Sequence, residues 1–238
     1  MKLYALQFQT DYEDFQKNLD NLSALINSCE DNSFILAPEL CLTGYSYNHL
    51  QEAASFSNKA IDTLKQLSNE RTISTTLTLF DKSSNKYTNT LHIFHKGDIV
   101  YTQNKAKLFS LNNEDDYFQA GNEEDIKIIE IDGIKIATLV CFELRFIDLW
   151  QKLKGADVIC VPAMWGFLRK QNYESLTNAL AIANQCYVVA SDSSNEQMAS
   201  SSGIISPFGE EIRDDSMQII SMDFDKSQIK KMRRYLKV

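Results

Sequence analysis

Short strand-like segments alternate with helical segments along this chain of 238 residues, and this alternation restricts its fold more than any other feature. An alternating pattern over about 2–9 precedes a helical pattern from Asp11, whose apolar face carries Phe15, Leu19, Leu22 and Ile26. A short apolar run over 34–37 predicts a buried strand that stops at Pro38. Mixed strands with intervening helices indicate a layered α/β architecture, and periodicity alone leaves one sheet or two open.

The middle of the chain predicts a sheet meander and a hairpin. A helical region to about 69 precedes strands over 72–80, 86–95 and 98–103, joined by polar turns such as Ser83-Ser84-Asn85. Asp132-Gly133 predicts a hairpin between 126–131 and 134–140, because both central positions of a type I′ turn require positive φ. The second hairpin strand runs directly into Cys141.

The rest of the chain continues the alternation. It predicts a strand at 157–161, a helix at about 170–185, strands at 187–192 and 203–206, a turn at 207–210, a strand at 217–224 and a terminal helix.

Nothing in the sequence marks a boundary between domains. Glycine occurs 8 times and proline 3 times, and no low-complexity linker or fixed-period repeat is visible. A single α/β domain commonly reaches this length. We therefore expect one domain over residues 1–238.

Acidic residues exceed basic ones and give a formal net charge of -8. Affinity for a polyanion depends largely on clustered lysine and arginine. The basic run of Lys230, Lys231, Arg233 and Arg234 lies near the C-terminus, where cations also favour the end of a helix. Nucleic acid is therefore not an expected partner.

The start of the chain lacks the apolar stretch of a signal peptide, and no apolar run reaches the ~18 residues of a membrane span. We therefore expect a cytoplasmic protein without a membrane partner. Five widely spaced cysteines without a CxxC pair disfavour a disulfide framework or a zinc site: Cys29, Cys41, Cys141, Cys160 and Cys186. Most are expected to be reduced thiols packed in the core.

Three residues whose side chains could take part in catalysis follow predicted strands, where sites are often built in α/β folds. They are Glu39, Lys105 and Cys141. Taken singly, each has a structural explanation: a carboxylate at a helix N-terminus, a solvated surface lysine and a small core side chain. Taken together, they supply the proton acceptor, the cation and the nucleophile that thiolate chemistry needs.

The local spacing around these three residues is specific. Glu39 lies in Pro-Glu-Leu-Cys-Leu-Thr-Gly-Tyr over 38–45, Lys105 begins Lys-x-x-Leu-Phe, and Cys141 begins Cys-Phe-Glu-Leu-Arg-Phe. In this order the segments resemble the nitrilase superfamily of carbon–nitrogen hydrolases. Four further segments extend the resemblance over nearly the whole chain: 117–121, 161–165, 179–185 and 203–210.

The resemblance implies a role for each matched residue. Glu39 would be the general base, Lys105 the electrostatic stabiliser and Cys141 the nucleophile. Glu114 matches a second glutamate that the family uses near substrate and lysine, although a solvated acidic loop with its neighbours Asp115 and Asp116 is an equal alternative.

Two further residues would support or position the substrate. A backbone N–H next to the nucleophile, that of Phe142, would help to hold the oxyanion. Trp165 lies in the segment that resembles the family's strand-Pro-Ala-x-Trp.

The chain departs from the family pattern at two places. Phe142-Glu143 replaces a frequent Tyr-Asp, and Lys107 replaces a frequent histidine. Both changes are expected to reshape the pocket. Lys105 is preferred over Lys107 as the functional lysine because only Lys105 has the family's spacing to the Leu-Phe pair, and a swap stays open. Arg145 is expected to pair with a carboxylate, either one near Glu143 or that of a substrate acid, and the structural pairing is preferred.

The histidines do not predict a metal site. His92 and His95 are three residues apart in an alternating strand, which would place their rings on opposite faces. No cofactor or metal is therefore expected.

The resemblance implies an α/β fold, a four-layer αββα sandwich, and a homo-oligomer, commonly a dimer. It implies thiol-dependent hydrolysis of a small amide, favouring an ω-amide of a dicarboxylic acid such as 2-oxoglutaramate. Hydrolysis of an N-carbamoyl amine or amino acid is the alternative. A catalytically silent scaffold and a redox protein with a reactive Cys141 also stay open at this point.

Overall fold

The structure is a computed structural model that describes residues 1–71, 73–83 and 86–237. Within these ranges the chain forms twelve strands and six helices in an alternating order. The elements are β1 (Lys2–Leu6), α1 (Phe15–Ser28), β2 (Ser33–Leu36), α2 (Leu50–Glu70), β3 (Ile73–Ser83), β4 (Lys86–His95), β5 (Asp98–Asn104), α3 (Glu114–Tyr117), β6 (Ile129–Ile131), β7 (Ile134–Thr138), α4 (Ile147–Lys152), β8 (Val158–Pro162), α5 (Lys170–Asn184), β9 (Tyr187–Ser191), β10 (Gly203–Ile205), β11 (Glu211–Arg213), β12 (Ile219–Asp223) and α6 (Lys226–Tyr235).

The described strands form two six-stranded mixed sheets. The first has the order β12-β1-β2-β3-β4-β5 and the second β11-β10-β9-β8-β7-β6. In the first sheet β1, β2 and β3 are parallel, and in the second β7, β8 and β9 are parallel. Such parallel strands are covered on both faces, which explains why β2, β8 and β9 are buried throughout.

Helices cover the outer face of each sheet. Helices α1 and α2 pack together against the first sheet, α4 and α5 lie against the second, and β1 and β2 contact β9 between the sheets. One buried cluster joins apolar side chains of both sheets, including Leu3, Leu36, Ile136 and Val188. The prediction of an α/β fold with αββα layers is confirmed.

Several predicted boundaries differ from the observed ones. Strand β1 ends at Leu6, and α1 begins only at Phe15, because the Asp14 side chain caps the helix by accepting from the Lys17 N–H at 2.9 Å. The predicted hairpin is present, with positive φ at Asp132 and Gly133. Its second strand ends at Thr138, before Cys141.

The remaining predictions concern individual segments. Short 3₁₀ helices, such as Ser110–Asn112 and Cys141–Arg145, and the four-residue α3 were not predicted. Residues 84 and 85 of the predicted polar turn, and the predicted strand start at 72, lie outside the described residues. No helix in the described ranges has the length and apolar character needed to cross a membrane.

Candidate active site

Glu39 lies just past β2, and its side chain is completely buried. Its Oε1 accepts hydrogen bonds from Asn89 Nδ2 and from Lys105 Nζ, both at 2.8 Å. Its Oε2 accepts from the backbone N–H of Met164 at 3.2 Å. Three donors from three segments therefore fix the orientation of this carboxylate.

Lys105 lies directly after β5 and is held through its backbone on both sides. Its N–H donates to the carbonyl of Asn89 at 2.8 Å, and its carbonyl accepts from Gly121 N–H at 2.9 Å. A Cβ at Gly121 would collide with the carbonyl of Asn104. This close approach explains the glycine that ends the 117–121 segment.

The Lys105 ammonium group meets three oxygen atoms in a buried polar cluster. Its Nζ donates to Oε1 of Glu39 and Oε1 of Glu114, each at 2.8 Å, and to the hydroxyl of Tyr45 at 3.2 Å. The Tyr45 hydroxyl donates to Glu114 Oε1 at 2.6 Å, and Glu114 Oε2 accepts from Phe109 N–H at 3.1 Å. All three ammonium protons thus have acceptors.

Cys141 lies two residues past β7, at the first position of the 3₁₀ helix Cys141–Arg145. Its φ of 47° is in the left-handed region, which is uncommon for residues other than glycine. Leu40, directly after Glu39, has a similar φ of 45°. Such conformations often cluster at functional sites, because the surrounding structure has to hold them.

Burial and charge set the protonation of this cluster. Burial raises the pKa of the Cys141 thiol well above its usual range, and the charges of Glu39 and Glu114 raise it further, against the opposing effect of Lys105. Burial alone would lower the pKa of Lys105, but Glu39 and Glu114 raise it above its usual value. Burial also raises the pKa of Glu114, opposed mainly by Lys105. The resting site therefore holds a protonated thiol beside a charged lysine.

A cavity of about 240 Å³ leads from the surface to Cys141 and Glu114. Its size suits a small molecule. Side chains from segments that follow strands of both sheets form its walls: Tyr45, Phe109, Leu111, Asn112, Met164, Arg169 and Met198. An adjoining depression at Cys141 is also lined by Phe142, Arg145 and Trp165.

Comparison with known proteins agrees with this geometry. The model of the carbon–nitrogen hydrolase family matches residues 3–234. The chain belongs to the carbon–nitrogen hydrolase family. It is therefore an enzyme that hydrolyses carbon–nitrogen bonds, and relatives in this family are named as amidases.

Two curated relatives and one solved structure illustrate the relationship. The chain is 32% identical over 216 residues to the 2-oxoglutaramate amidase of Bacillus subtilis, covering 86% of this chain and 82% of the relative. It is 29% identical over 220 residues to the omega-amidase YafV of Yersinia enterocolitica, covering 88% and 83%. The crystal structure of Saccharomyces cerevisiae Nit3, a member of the nitrilase superfamily, matches with a TM-score of 0.88 at 20% identity, covering 100% and 94%. The resemblance to the nitrilase superfamily is confirmed.

The two lysines of this carbon–nitrogen hydrolase occupy different environments. The Lys105 side chain is fully buried among the carboxylates, whereas that of Lys107 is 24% exposed and pairs with Glu123. The Lys107 ammonium group also lies 4.8 Å from the centre of the Phe146 ring. The geometry thus favours Lys105 over Lys107 as the lysine of the site.

Neighbouring residues also differ in burial, both in the acidic segment 114–116 and in the pair Phe142-Glu143. Glu114 is buried against Lys105, whereas Asp115 and Asp116 are exposed. Phe142 lines the depression at Cys141, with its ring centre 5.0 Å from that of Phe109. Glu143 is completely buried and lines neither the cavity nor the depression, so of this pair only Phe142 borders the pocket.

The expected pairing of Arg145 with a carboxylate near Glu143 was wrong, whereas pairing with a substrate acid stays a prediction. Its guanidinium group lies 4.9 Å from the centre of the Trp165 ring and donates to Oδ1 of Asn172 at 3.1 Å. A flat guanidinium group stacks well on an indole, and the exposed position leaves its charge in water. The Trp165 side chain is buried, and its Nε1 donates to the carbonyl of Arg169 at 2.8 Å.

The histidines of β4 bind separate aspartates. His92 Nε2 lies 3.3 Å from Asp81 Oδ2, and His95 Nε2 lies 3.3 Å from Asp132 Oδ2. Within the described ranges, no group of three or more His, Cys, Asp or Glu side chains is arranged to hold a metal ion.

Sequence reasoning missed Asn89, Tyr45, Arg169 and Asp192. Tyr45 stands in the quoted Pro-Glu-Leu segment, so its place in the motif was visible although its role was not. Asn89 lies within β4 and Asp192 just past β9, and neither has a local signal. Only the pairing of strands brings them to Glu39 and Trp165.

Proposed function

We propose that this protein hydrolyses the ω-amide of a small dicarboxylic acid through a thioester on Cys141. The observation that carries the proposal is the buried Lys105 ammonium group, held between Glu39 and Glu114 beside the thiol. This arrangement provides a base, a fixed positive charge and a nucleophile in one water-poor cluster.

Charge balance favours proton transfer from Cys141 to Glu39 as the activating step. A thiolate formed without this transfer would place three negative groups around the single Lys105 ammonium group. Transfer of the proton to Glu39 leaves the net charge of the cluster unchanged and creates the thiolate near Lys105. The raised pKa of the thiol is consistent with such a step, because activation then requires an adjacent base.

The reaction would proceed in two halves. The Cys141 sulfur attacks the amide carbonyl carbon, Glu39 takes the thiol proton, and the oxyanion is stabilised by Lys105 and the backbone N–H of Phe142. Glu39 delivers its proton to the leaving nitrogen, and ammonia departs as the C–N bond breaks. A water molecule, deprotonated by Glu39, then attacks the thioester, releases the carboxylate and returns the thiol.

The cations at the rim of the cavity support a substrate with a free carboxylate. Arg145 and Arg169 border the depression at Cys141, and among the described residues neither forms an ion pair with an acidic side chain. Arg169 lies over the Phe109 ring at 5.3 Å, which leaves its donors available. An arginine fork suits a carboxylate. The names of the two curated relatives point to the same substrate class.

A substrate panel tests the proposal through ammonia release. Succinamate is the ω-amide, butyramide is its neutral counterpart, and N-carbamoyl-β-alanine and butyronitrile represent the other branches. We expect succinamate to be preferred, and Cys141→Ala to lower its kcat by about 10⁴-fold or more. Cys160→Ala removes another buried thiol, in β8, and should keep the activity.

Mass spectrometry of the quenched wild-type reaction should find the acyl adduct on Cys141. Turnover of the carbamoyl compound or the nitrile alone would overturn the substrate class. Activity of Cys141→Ala near the wild-type level would overturn the nucleophile, and redox chemistry would instead give a mixed disulfide. A cytoplasmic location and a dimer or larger homo-oligomer also stay predictions, the second testable by analytical ultracentrifugation.

A further inference from the structure

We propose that Glu143 is a positioning residue that fixes the Cys141 segment against the Lys105 segment. The inference rests on the proposed function, in which Cys141 and Lys105 act on the same carbonyl group. It concerns the one residue of the Phe142-Glu143 departure that has no access to the cavity.

The Glu143 carboxylate joins two backbone positions that adjoin the reacting residues. Its Oε1 accepts from the N–H of Ala106 at 2.6 Å, and its Oε2 accepts from the N–H of Val140 at 2.7 Å. Ala106 directly follows Lys105, and Val140 directly precedes Cys141. One side chain therefore holds the main chain next to the cation and the main chain next to the nucleophile.

These two positions belong to different sheets. Lys105 follows β5 of the first sheet, whereas Cys141 follows β7 of the second. Among the described strands the two sheets share no ladder, and the isolated bridge between Phe8 and Ser193 joins other segments. Glu143 thus provides a polar link across the sandwich at the site, and side-chain hydrogen bonds set the separation where sheet pairing does not.

Gln103 of β5 strengthens the same link. Its Nε2 donates to Glu143 Oε2 at 3.2 Å, and its Oε1 accepts from the hydroxyl of Thr138, at the end of β7, at 2.6 Å. The Tyr101 hydroxyl, which shares its proton with the carbonyl of Asp125 at 2.6 Å, lies 3.0 Å from the same oxygen. Because two hydroxyl groups occupy the Oε1 side, the amide nitrogen of Gln103 points to Glu143.

Three donors favour the ionised form of the carboxylate at this position. The N–H groups of Ala106 and Val140 and the amide of Gln103 all donate to Glu143. Burial raises the pKa of Glu143 to about 7, while the two backbone N–H groups oppose that rise. A glutamine would place an amide N–H₂ against at least one of these donors and leave it buried without an acceptor.

A positioning role predicts a specific kinetic pattern. Glu143 is 0% exposed and touches neither the cavity nor the depression at Cys141, so it has no direct contact with substrate. Loosening the link misaligns the sulfur and Lys105, and a displacement of ~1 Å costs up to about 10²-fold in rate. The loss should fall on kcat, with little change in KM.

The experiment compares Glu143→Gln and Glu143→Asp with the wild-type enzyme. Glu143→Gln keeps the size and loses the charge, whereas Glu143→Asp keeps the charge but is one methylene too short to reach both N–H groups. With succinamate, we expect each variant to lose ~10–100-fold in kcat, with KM within about twofold of wild type. Glu123→Gln, a change at the partly exposed partner of Lys107, is the control and should keep both constants.

Alkylation of Cys141 by iodoacetamide, followed by mass spectrometry, gives a second readout that does not depend on amide turnover. We expect it to slow about tenfold in both Glu143 variants. Absence of succinamate turnover by the wild type would contradict the proposed function but leave the alkylation test intact. Folded Glu143→Asp with wild-type kcat and alkylation rate would overturn the positioning role, even if Glu143→Gln fails to fold. A rise in KM at unchanged kcat in the Glu143 variants would also overturn the positioning role.

Discussion

The inner wall of the site and its mouth are built in different ways. The inner wall consists of Tyr45, Glu39, Lys105 and Glu114, which are joined by short hydrogen bonds, with the two carboxylates and the lysine completely or almost completely buried. The mouth consists of Phe109, Phe142, Arg145, Trp165 and Arg169, which contact one another mainly by stacking. Its arginines have no carboxylate partner among the described residues.

This difference predicts that the inner wall carries out the reaction and that the mouth selects the substrate. A buried charge needs a partner within the protein, so the inner wall can serve one reaction and tolerates little change. The cations of the mouth keep free donors, and a substrate can supply the missing partner. The inner wall should therefore govern kcat, and the mouth should govern which amide binds.

Among the changes that compare the inner wall with the mouth, Lys105→Met should have the largest effect, because it breaks the inner wall directly. The change removes the positive charge and leaves two buried carboxylates without their shared partner. We expect kcat for succinamate to fall by about 10²–10³-fold, the typical cost of losing one oxyanion donor. Steady-state ammonia release measures the loss, and circular dichroism verifies the fold.

Lys107→Met is the matched control, because it makes the same substitution at the lysine two residues away. Its ammonium group pairs with the partly exposed Glu123, and exposed pairs contribute at most about 1 kcal/mol. Activity should stay within about twofold of wild type. If Lys107→Met lost as much activity as Lys105→Met, the alternative in which the two lysines exchange roles would be correct.

Replacing Arg169 by glutamine should have an intermediate effect confined to the mouth. The variant keeps a side chain of similar reach but loses the charge that would meet the substrate carboxylate. We expect KM for succinamate to rise about tenfold, equivalent to ~1.4 kcal/mol, while constants for the neutral butyramide change little. An equal loss for both amides would show that Arg169 supports the fold of the mouth and does not select the carboxylate.

The inner wall was largely predictable from sequence, whereas the mouth was not. Glu39, Lys105 and Cys141 stand in local motifs, and the structure brings Glu39 and Lys105 into direct contact beside Cys141. Glu114 was undecided, because a sequence does not distinguish a buried carboxylate from its exposed neighbours Asp115 and Asp116. Local patterns predict such a cluster well when each of its residues follows its own strand.

The sequence did not predict contacts between distant segments, and the reason is physical. The stacking of Arg145 on Trp165 and the bond from Asn89 to Glu39 depend on how the sheets and helices pack, and no local period encodes them. The layered α/β class followed from alternating strands and helices. The division into two facing sheets came from the family resemblance, since periodicity carries no information on strand order.

Asp192 supports the mouth, and its difference from Glu39 gives a prediction about stability and not about turnover. Both oxygens of Glu39 accept hydrogen bonds. In contrast, Asp192 Oδ1 accepts from Trp165 N–H at 2.7 Å, and its buried Oδ2 has no partner among the described residues. Burial raises the pKa of Asp192 from 3.8 to about 8. Because the folded state holds this proton more tightly, its stabilising contribution is complete below about pH 4 and is lost as pH rises through about 8.

Asp192→Asn removes this titration and keeps the oxygen that accepts from Trp165. Between pH 6 and pH 8 we expect the free energy of unfolding of the variant to gain about 1–3 kcal/mol relative to wild type. Urea unfolding at the two pH values measures this difference, with Glu124→Gln, an exposed acid, as the control that should show no such gain. An equal stability difference at both pH values would mean that Asp192 is already ionised at pH 6. Trp165 at the mouth would then bind a charged carboxylate, as the groups of the inner wall do. The two regions would differ only in their exposure to solvent.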